Sequence, residues 1–373
     1  MWISEGCRES RVEELSARVA GALSFVPRLP STVYRVLLSA YCLLLSADSL
    51  LPTAYSLPPA RGLYEIREIK PGIFIWVPDD VLDQDGDPQF SRAGTAGFIV
   101  TSEGVVVVNS TNTPSHAREL LYEIRKRTDL PVRYVINTDS HSDLMLGNEV
   151  FVDQPAIIVS TSIAAAEMRR YRQDLVQRLR EDENWRLQAR MRGIHPTMPG
   201  QTFDHEMTIR LGGQEIRLLS MGGAHSAGDA VIYLPGAKIL FLGHLFENGF
   251  FPRLASSDVR RWIETLQQVE SWDVDTYVPG HGPPGDKRQL AEFRGFLEWL
   301  VTEIETRIQA GKSLEDVKRE VNPLETFHWS ARDLAPQAIE DVYRQLEQAQ
   351  PAHAASPPPA GQAASPGQSN PPQ

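Results

Sequence analysis

The sequence predicts an α/β protein whose strands fall into two groups, an order that favours a sandwich over a single doubly wound sheet. Between residues 57 and 350, short apolar strand patterns alternate with amphipathic helix patterns, and the strands come in two batches around a central β–α–β region. Hydrophobic residues make up 42% and charged residues 23% of the 373 residues. This composition is ordinary for a globular protein and excludes a wholly disordered chain, a coiled coil and a multi-span membrane protein.

The first batch of strands is interrupted by two predicted helices. The first helix carries Leu120, Leu121 and Ile124 on one face, and the second is long and charged, with Thr161 as a possible cap. The acidic loop after the second strand offers no register with Gly at the sixth position of a calcium loop, so we expect a solvated loop. The predicted strands are Tyr64–Lys70, Ile73–Val77, Gly97–Thr101, Gly104–Asn109, Val132–Asn137 and Ile157–Ser160, and the helices are Ser115–Arg127 and Thr161–Arg192.

The second batch of strands is followed by three helices. One further helix, Ser257–Val269, precedes the last strand of this batch. The predicted strands are Met207–Leu211, Glu215–Ser220, Ala230–Leu234, Lys238–Leu242 and Thr276–Val278, and the closing helices are Lys287–Ala310, Ser313–Val321 and Pro336–Gln348.

Both ends of the chain differ in composition from the middle. Residues 1–56 read as a leader: the apolar stretch Val36–Ala47 follows basic residues and precedes Ala54 and Ser56 at the spacing of a cleavage site. The stretch has about 12 residues, short of the roughly 20 that span a membrane, so we expect export to the periplasm or medium and no stable membrane span. A cytoplasmic protein, or one anchored through 36–47, is the alternative. Residues 351–373 are rich in Pro, Ala, Ser and Gln and are predicted to be disordered.

The charge and the cysteines are unevenly placed. The net charge of −11 lies wholly within residues 57–350, which argues against a nucleic-acid partner. Cys7 and Cys42 are the two cysteines, and both fall in the predicted leader. Any metal chemistry of the folded region must therefore use His and carboxylate ligands.

Four of the nine histidines are predicted to follow four different strands. They are His141, His225, His244 and His281, each flanked by Gly, Ser or Asp, and Asp139 and Asp143 accompany the first. The carboxyl ends of strands in α/β sheets gather at one edge, where ligands bind. Because neutral imidazole and carboxylate suit zinc, iron or manganese, we predict a metal site there. Four other histidines, His116, His195, His205 and His328, are expected to be structural or solvated, although the loop of His195 could fold over the site.

These segments resemble a known family. TDSHSDLMLGN, GGAHSAGD, FLGHLF and VPGHGPP, in that order, are similar to the motifs of the metallo-β-lactamase superfamily, and the resemblance covers Tyr64–Gly285. It implies an αββα four-layer sandwich with a metal site at one edge of its two sheets. It also implies a metallo-β-lactamase-like domain over residues 57–285 and a C-terminal helical extension over 286–350, similar to additions in some members.

The ligand set departs from the family pattern at three positions. The first His of the family motif is Asp139 here, the His after the motif Asp is Leu144, and the bridging Asp is His244. Asp139, His141 and His225 would still form a two-His, one-carboxylate set. Asp143, His244 and His281 could form a second such set. A single imidazole cannot bridge two cations, so we predict one ion, most simply zinc. Two loosely coupled ions and a metal-free relic are left open.

The resemblance implies a metal-dependent hydrolase acting on a small molecule through an ester, thioester, lactone, amide or β-lactam bond. Asp143 would orient or deprotonate the attacking water, and His244 would protonate the leaving group when free of metal. Asp229 is either a partner of His225 or a turn residue, and Asn109 and Asn148 could touch substrate. The alternatives are a metal-dependent oxygenase or redox accessory, or an inactive binding module on the same fold.

Overall fold

The computed structural model describes residues 64–78, 92–181 and 195–349. The predicted leader, the predicted tail, most of the acidic loop and residues 182–192 of the predicted long helix lie outside these residues. None of the helices in the described ranges is both long enough and apolar enough to cross a membrane.

The first batch of strands forms a seven-stranded sheet in the order β1 to β7. The first four strands are antiparallel neighbours, and β4 to β7 run parallel. Its strands are β1 Tyr64–Lys70, β2 Ile73–Pro78, β3 Ala96–Val100, β4 Val105–Val108, β5 Val132–Ile136, β6 Ile157–Thr161 and β7 Gln201–Phe203. Its helices are α1 Pro114–Arg125, the short α2 Ser142–Met145, which runs into a 3₁₀ turn over Leu146–Phe151, and α3 Ser162–Glu181.

The second batch forms a five-stranded sheet in the order β12, β11, β10, β9, β8. Only β11 and β12 are parallel, and helix α4 connects them. The elements are β8 Glu206–Leu211, β9 Gln214–Ser220, β10 Ala230–Leu234, β11 Ile239–Glu247, α4 Val259–Glu270 and β12 Thr276–His281. The C-terminal helices are α5 Lys287–Gln309, α6 Leu314–Glu320, α7 Pro323–Thr326 and α8 Ala335–Ala349, with a 3₁₀ turn at Arg332–Leu334.

Side chains that point alternately to the two faces of each strand produce the four layers. Along β2, Ile73 and Ile75 pack between the two sheets, whereas Phe74 and Trp76 face α1 on the outside. Along β11, Ile239 and Phe241 pack between the sheets. Leu240 and Leu242 face the opposite side, where α4, α5 and α8 pack. Successive side chains of a strand point to opposite faces, so each sheet covers one inner and one outer core. The predicted αββα sandwich is confirmed.

Two predicted strand ends are wrong at places that concern the site, and one short strand was missed. Strand β11 runs to Glu247 instead of Leu242 and β12 to His281 instead of Val278, so His244 and His281 lie within strands rather than after them. Strand β7 was not predicted, because its three residues are too short to show an alternating pattern. Thr161 does cap α3, since its Oγ1 accepts a hydrogen bond from the N–H of Ala164 at 3.0 Å.

Candidate metal centre

The loop after β5 carries Asp139 and His141. Asp139 is buried, and its Oδ1 accepts a hydrogen bond from the backbone N–H of His141 at 2.8 Å. The same oxygen lies 3.4 Å from Nδ1 of His141. One short loop therefore brings the carboxylate and the imidazole together, and the hydrogen bond fixes their relative position.

His225 lies in the turn between β9 and β10. Asp229 closes this turn by accepting hydrogen bonds from the N–H of Ser226 at 2.9 Å and from its hydroxyl at 2.5 Å. Oδ1 of Asp229 also lies 3.5 Å from Nδ1 of His225, and Trp262 of α4 packs edge-on against the His225 ring at 5.2 Å. Asp229 is thus both a turn residue and a neighbour of His225, so the two roles considered from the sequence coincide.

A bulge in β11 turns His244 towards the first sheet. Pairing with β12 shifts register between Phe241 and Gly243, and Gly243 has φ +53°. Leu242 and Leu245 both face the helices, although they are three residues apart rather than two. The extra residue places His244 on the other side of the strand. There, Nδ1 of His244 lies 2.7 Å from Oδ2 of Asp139.

Asp143 links His244 to His281. Its Oδ2 lies 3.2 Å from Nε2 of His244 and 3.1 Å from Nε2 of His281. His281 is the last residue of β12, and the Phe250 ring stacks on it at 5.7 Å. Both ring nitrogens of His244 therefore face carboxylates, one from each predicted ligand set.

All six predicted residues come together in two overlapping groups. Candidate ligand atoms lie within 4.8 Å of one another in each group. The first group is Asp139, His141, His225 and His244, and the second is Asp143, His244 and His281. The Nδ1 atoms of His141 and His225 are buried without a hydrogen-bond partner in the described part of the chain. Buried polar atoms left in this way are typical of a site that takes an ion or a water, so the donor set fits a metal.

The pKa shifts differ from one residue of the cluster to another. Burial lowers the pKa of His225, which favours the neutral ring that a metal requires. Burial would raise the pKa of Asp139 and of Asp143, but the facing His rings hold both well below their usual range. Burial opposes a charge on His244 as well, yet its two carboxylate neighbours raise its pKa well above the usual value. The two carboxylates therefore favour the protonated form of His244 when no metal is bound.

The two asparagines considered for substrate contact lie beneath the site instead. Asn148 is 0% and Asn109 2% exposed. Asn109 accepts hydrogen bonds from Thr138, through its N–H at 3.0 Å and its hydroxyl at 3.1 Å. Asn148 exchanges side-chain hydrogen bonds with Asn137 at 2.8 and 3.1 Å and accepts one from the Ser110 hydroxyl at 2.8 Å. Their role is to hold the strand ends that carry Asp139 and His141.

Replacing Asn148 by alanine is expected to lower the free energy of unfolding by about 3 kcal/mol, because the buried side-chain oxygen of Asn137 would lose its donor, and Asn137 and Ser110 would keep only the long contacts of 3.4 Å to the carbonyl of Leu144. Urea denaturation measures this difference. Asn322→Ala is the matched control: Asn322 is exposed and caps α7 through the N–H of Leu324, so its loss should cost about 1 kcal/mol. Equal losses in the two variants would contradict the structural role of Asn148.

The remaining histidines of the described ranges lie apart from the cluster. The side chain of His195 is 83% exposed, and His195 does not line the cleft above the cluster. His116 opens α1, where its Nδ1 lies 2.6 Å from Oδ1 of Asn112. His205 is exposed before β8, and His328 lies between α7 and α8.

The cleft above the cluster, of about 100 Å³, includes residues that sequence reasoning missed. They are Arg92, Glu247, Phe250, Phe251, Arg253, Ala331 and Leu334. Glu247 ends β11, and burial raises its pKa to about 7. These residues come from three distant parts of the chain and form no local motif, so only the tertiary structure brings them together.

Comparisons with known proteins agree with the fold. The sequence profile of the metallo-beta-lactamase superfamily matches residues 91–281. A linear primary-alkylsulfatase of Pseudomonas sp. (strain ATCC 19151) is 21% identical over 52% of this chain and 42% of its own length. A metallo-beta-lactamase type 2 of Elizabethkingia meningoseptica is 27% identical over 51% of this chain and 69% of its own length. The chain therefore aligns with less than half of the alkylsulfatase.

Solved structures give the same result. A metallo-beta-lactamase from Pontibacter korlensis superimposes with a TM-score of 0.51 at 24% identity, covering 63% of this chain and 99% of that one. The inverting sec-alkylsulfatase Pisa1 from Pseudomonas sp. gives a TM-score of 0.57 at 17% identity, covering 76% of this chain and 50% of that one. At these identities the likeness concerns the fold alone.

Proposed function

Since the chain belongs to the metallo-β-lactamase superfamily, we propose that it is a metal-dependent hydrolase of a small molecule that holds one ion on Asp139, His141 and His225. The observation that carries the proposal is the close group of these three side chains, two of which line the cleft, together with the lowered pKa of His225 and the buried Nδ1 of His141 that has no hydrogen-bond partner. Zinc is the proposed ion, since two His and one carboxylate are a catalytic zinc set.

An ion bound there would lower the pKa of a water molecule and polarise the bond to be cleaved. The protein's part is to place the reacting groups. Asp143 borders the cleft as an ionised carboxylate and is the group that would orient the attacking water or accept its proton. His281 and His244 hold Oδ2 of Asp143 through their Nε2 atoms, which limits its movement.

His244 is proposed as the proton donor to the leaving group. Nδ1 of His244 is held by Asp139 at 2.7 Å, and its Nε2 shares Asp143 with His281 on the side of the cleft. The two carboxylates raise the pKa of the ring and so favour a proton on each nitrogen, and in that form Nε2–H can be donated while Asp139 keeps the ring in place. In the two-ion alternative, His244 would instead join Asp143 and His281 as a ligand.

The bond type is tested with a panel of simple substrates: an aryl ester, a thioester, a lactone, a chromogenic β-lactam and an alkyl sulfate. The protein as isolated is expected to hydrolyse at least one of them and to lose this activity on chelation. Adding Zn²⁺ back should restore it. Metal content by mass spectrometry gives the identity and number of ions.

Two results would count against a hydrolase. A metal-loaded protein without chelator-sensitive hydrolysis of any compound would favour an inactive binding module. Bound iron together with oxygen uptake would favour an oxygenase, which the same two-His, one-carboxylate set can support.

A further inference from the structure

Two arginines share the cleft with the metal cluster, and neither belongs to a family motif quoted above. Arg92 precedes β3 and Arg253 follows β11, and both line the cleft together with His141, His225 and His281. Arg92 is 9% exposed, whereas Arg253 is exposed. Guanidinium groups bind carboxylate, sulfate and phosphate groups through planar, paired hydrogen bonds.

The C-terminal extension fixes the position of Arg92. Nη2 of Arg92 lies 2.7 Å from Oδ1 of Asp333. Burial would raise the pKa of Asp333, but Arg92, with a smaller contribution from Arg253, lowers it. One carboxylate therefore lies near both guanidinium groups.

The segment around Asp333 is attached to the loop after β11. The N–H of Phe251 donates to the carbonyl of Ser330 at 3.1 Å, and the N–H of Ser330 donates to the carbonyl of Gly249 at 2.8 Å. Ala331, with φ +57°, turns the chain into the 3₁₀ turn that carries Asp333. Ala331 and Leu334 then line the cleft beside Phe250. This segment thus lines the cleft with Ala331 and Leu334 and holds one of its arginines through Asp333.

We propose that Arg92 and Arg253 form a subsite for an anionic group of the substrate, so that the substrate class is a small molecule carrying a carboxylate, sulfate or phosphate group beside the bond that is cleaved. The apolar side chains of Phe250 and Leu334 border the same cleft and would contact the carbon skeleton. This inference rests on the proposed function in taking the cleft as the substrate site, but anion binding does not require hydrolysis and is measured separately.

The test uses the full chain after chelation, which removes any contribution of a metal ion to anion binding. Benzenesulfonate and the neutral benzenesulfonamide are titrated into it by calorimetry. The sulfonate is expected to bind at least about tenfold more tightly, as charge-assisted hydrogen bonds predict. Arg253→Gln should weaken sulfonate binding by about tenfold and leave sulfonamide binding unchanged.

Arg260→Gln is the matched control, because Arg260 is an exposed arginine of α4 whose Nη2 pairs with Glu305 at 2.8 Å. It should leave both affinities unchanged. Binding of both compounds to Arg92→Gln is measured in the same way, and the thermal unfolding of this variant is recorded. If the variant does not fold because the buried Arg92 is needed for folding, the test rests on Arg253→Gln.

Equal binding of the two compounds, or unchanged sulfonate binding in Arg253→Gln, would overturn the subsite. Sulfonate binding that depends on the arginines in a protein that hydrolyses nothing would instead overturn the hydrolase and leave the anion site in place.

Discussion

Replacing His141 or His225 by alanine is expected to remove the bound ion and to lower kcat/KM by about 100-fold or more. Each variant leaves only one His and one carboxylate of the proposed set, and even partners of metal ligands cost 10- to 100-fold in metal affinity or activity when they are removed. Metal content by mass spectrometry should fall from near one ion per chain to below about 0.1. Activity is followed on whichever substrate of the panel is cleaved.

Two further histidines make this test specific. His205→Ala changes an exposed residue outside the cluster and should leave metal content and activity as they are. His281→Ala separates the one-ion and two-ion arrangements. If a single ion is held by Asp139, His141 and His225, the His281→Ala variant should still contain about one ion per chain. If the unmodified protein contains two ions and the variant only one, the second group also binds metal. Full metal content in His141→Ala and His225→Ala would contradict the proposed ligands.

The fold was predictable because its strands carry their own pattern. In β2 and β4, alternate side chains enter the core between the sheets and the outer core under α1. Both sets are apolar, so these strands read as short continuous apolar runs between turns. The turn at Pro71-Gly72, where Gly72 has φ +76°, is likewise visible as a local signal. What the sequence could not show is where β11 ends, since the bulge at Gly243 depends on pairing with a strand that lies more than 30 residues later.

The clustering of the candidate ligands was predictable for a different reason. The loop after β5, the turn after β9 and the ends of β11 and β12 lie at one edge of the two sheets, so any polar residues at these positions meet. The arginine subsite was not predictable, because the ion pair between Arg92 and Asp333 joins residues 241 positions apart. Neither residue sits in a pattern of its own, and their meeting depends on how the C-terminal helices pack on the second sheet.

The role of His244 depends both on its position in the sequence motif and on the tertiary structure around it. The sequence indicates a histidine in the place of the bridging carboxylate of the family, but not what it contacts. The bulge then places its ring between Asp139 and Asp143, at 2.7 and 3.2 Å. The two carboxylates raise the pKa of His244 and so favour its protonated form, which cannot act as a ligand of a second ion, and this supports the one-ion arrangement.

Replacing Gly243 by alanine is therefore expected to damage both stability and activity. A Cβ at this position would lie 2.3 Å from Oγ1 and 2.7 Å from Cβ of Thr138, the residue before Asp139. Thr138 is buried and held by Asn109, so it cannot move aside freely. Positive φ costs about 1 kcal/mol in any residue with a Cβ, and the overlap adds about 2 kcal/mol. The free energy of unfolding should fall by about 3 kcal/mol in urea denaturation.

Gly213→Ala distinguishes the steric effect from the backbone effect. Gly213 also has a positive φ, +82°, but a Cβ there meets nothing within 4 Å, so its loss of stability should stay near 1 kcal/mol and its activity should be unchanged. In Gly243→Ala, relief of the overlap must move Thr138 or His244 and so lengthen the contact between Asp139 and His244, and we expect kcat to fall by about tenfold. If Gly243→Ala were as stable and as active as Gly213→Ala, the bulge would not be what positions His244 against Asp139.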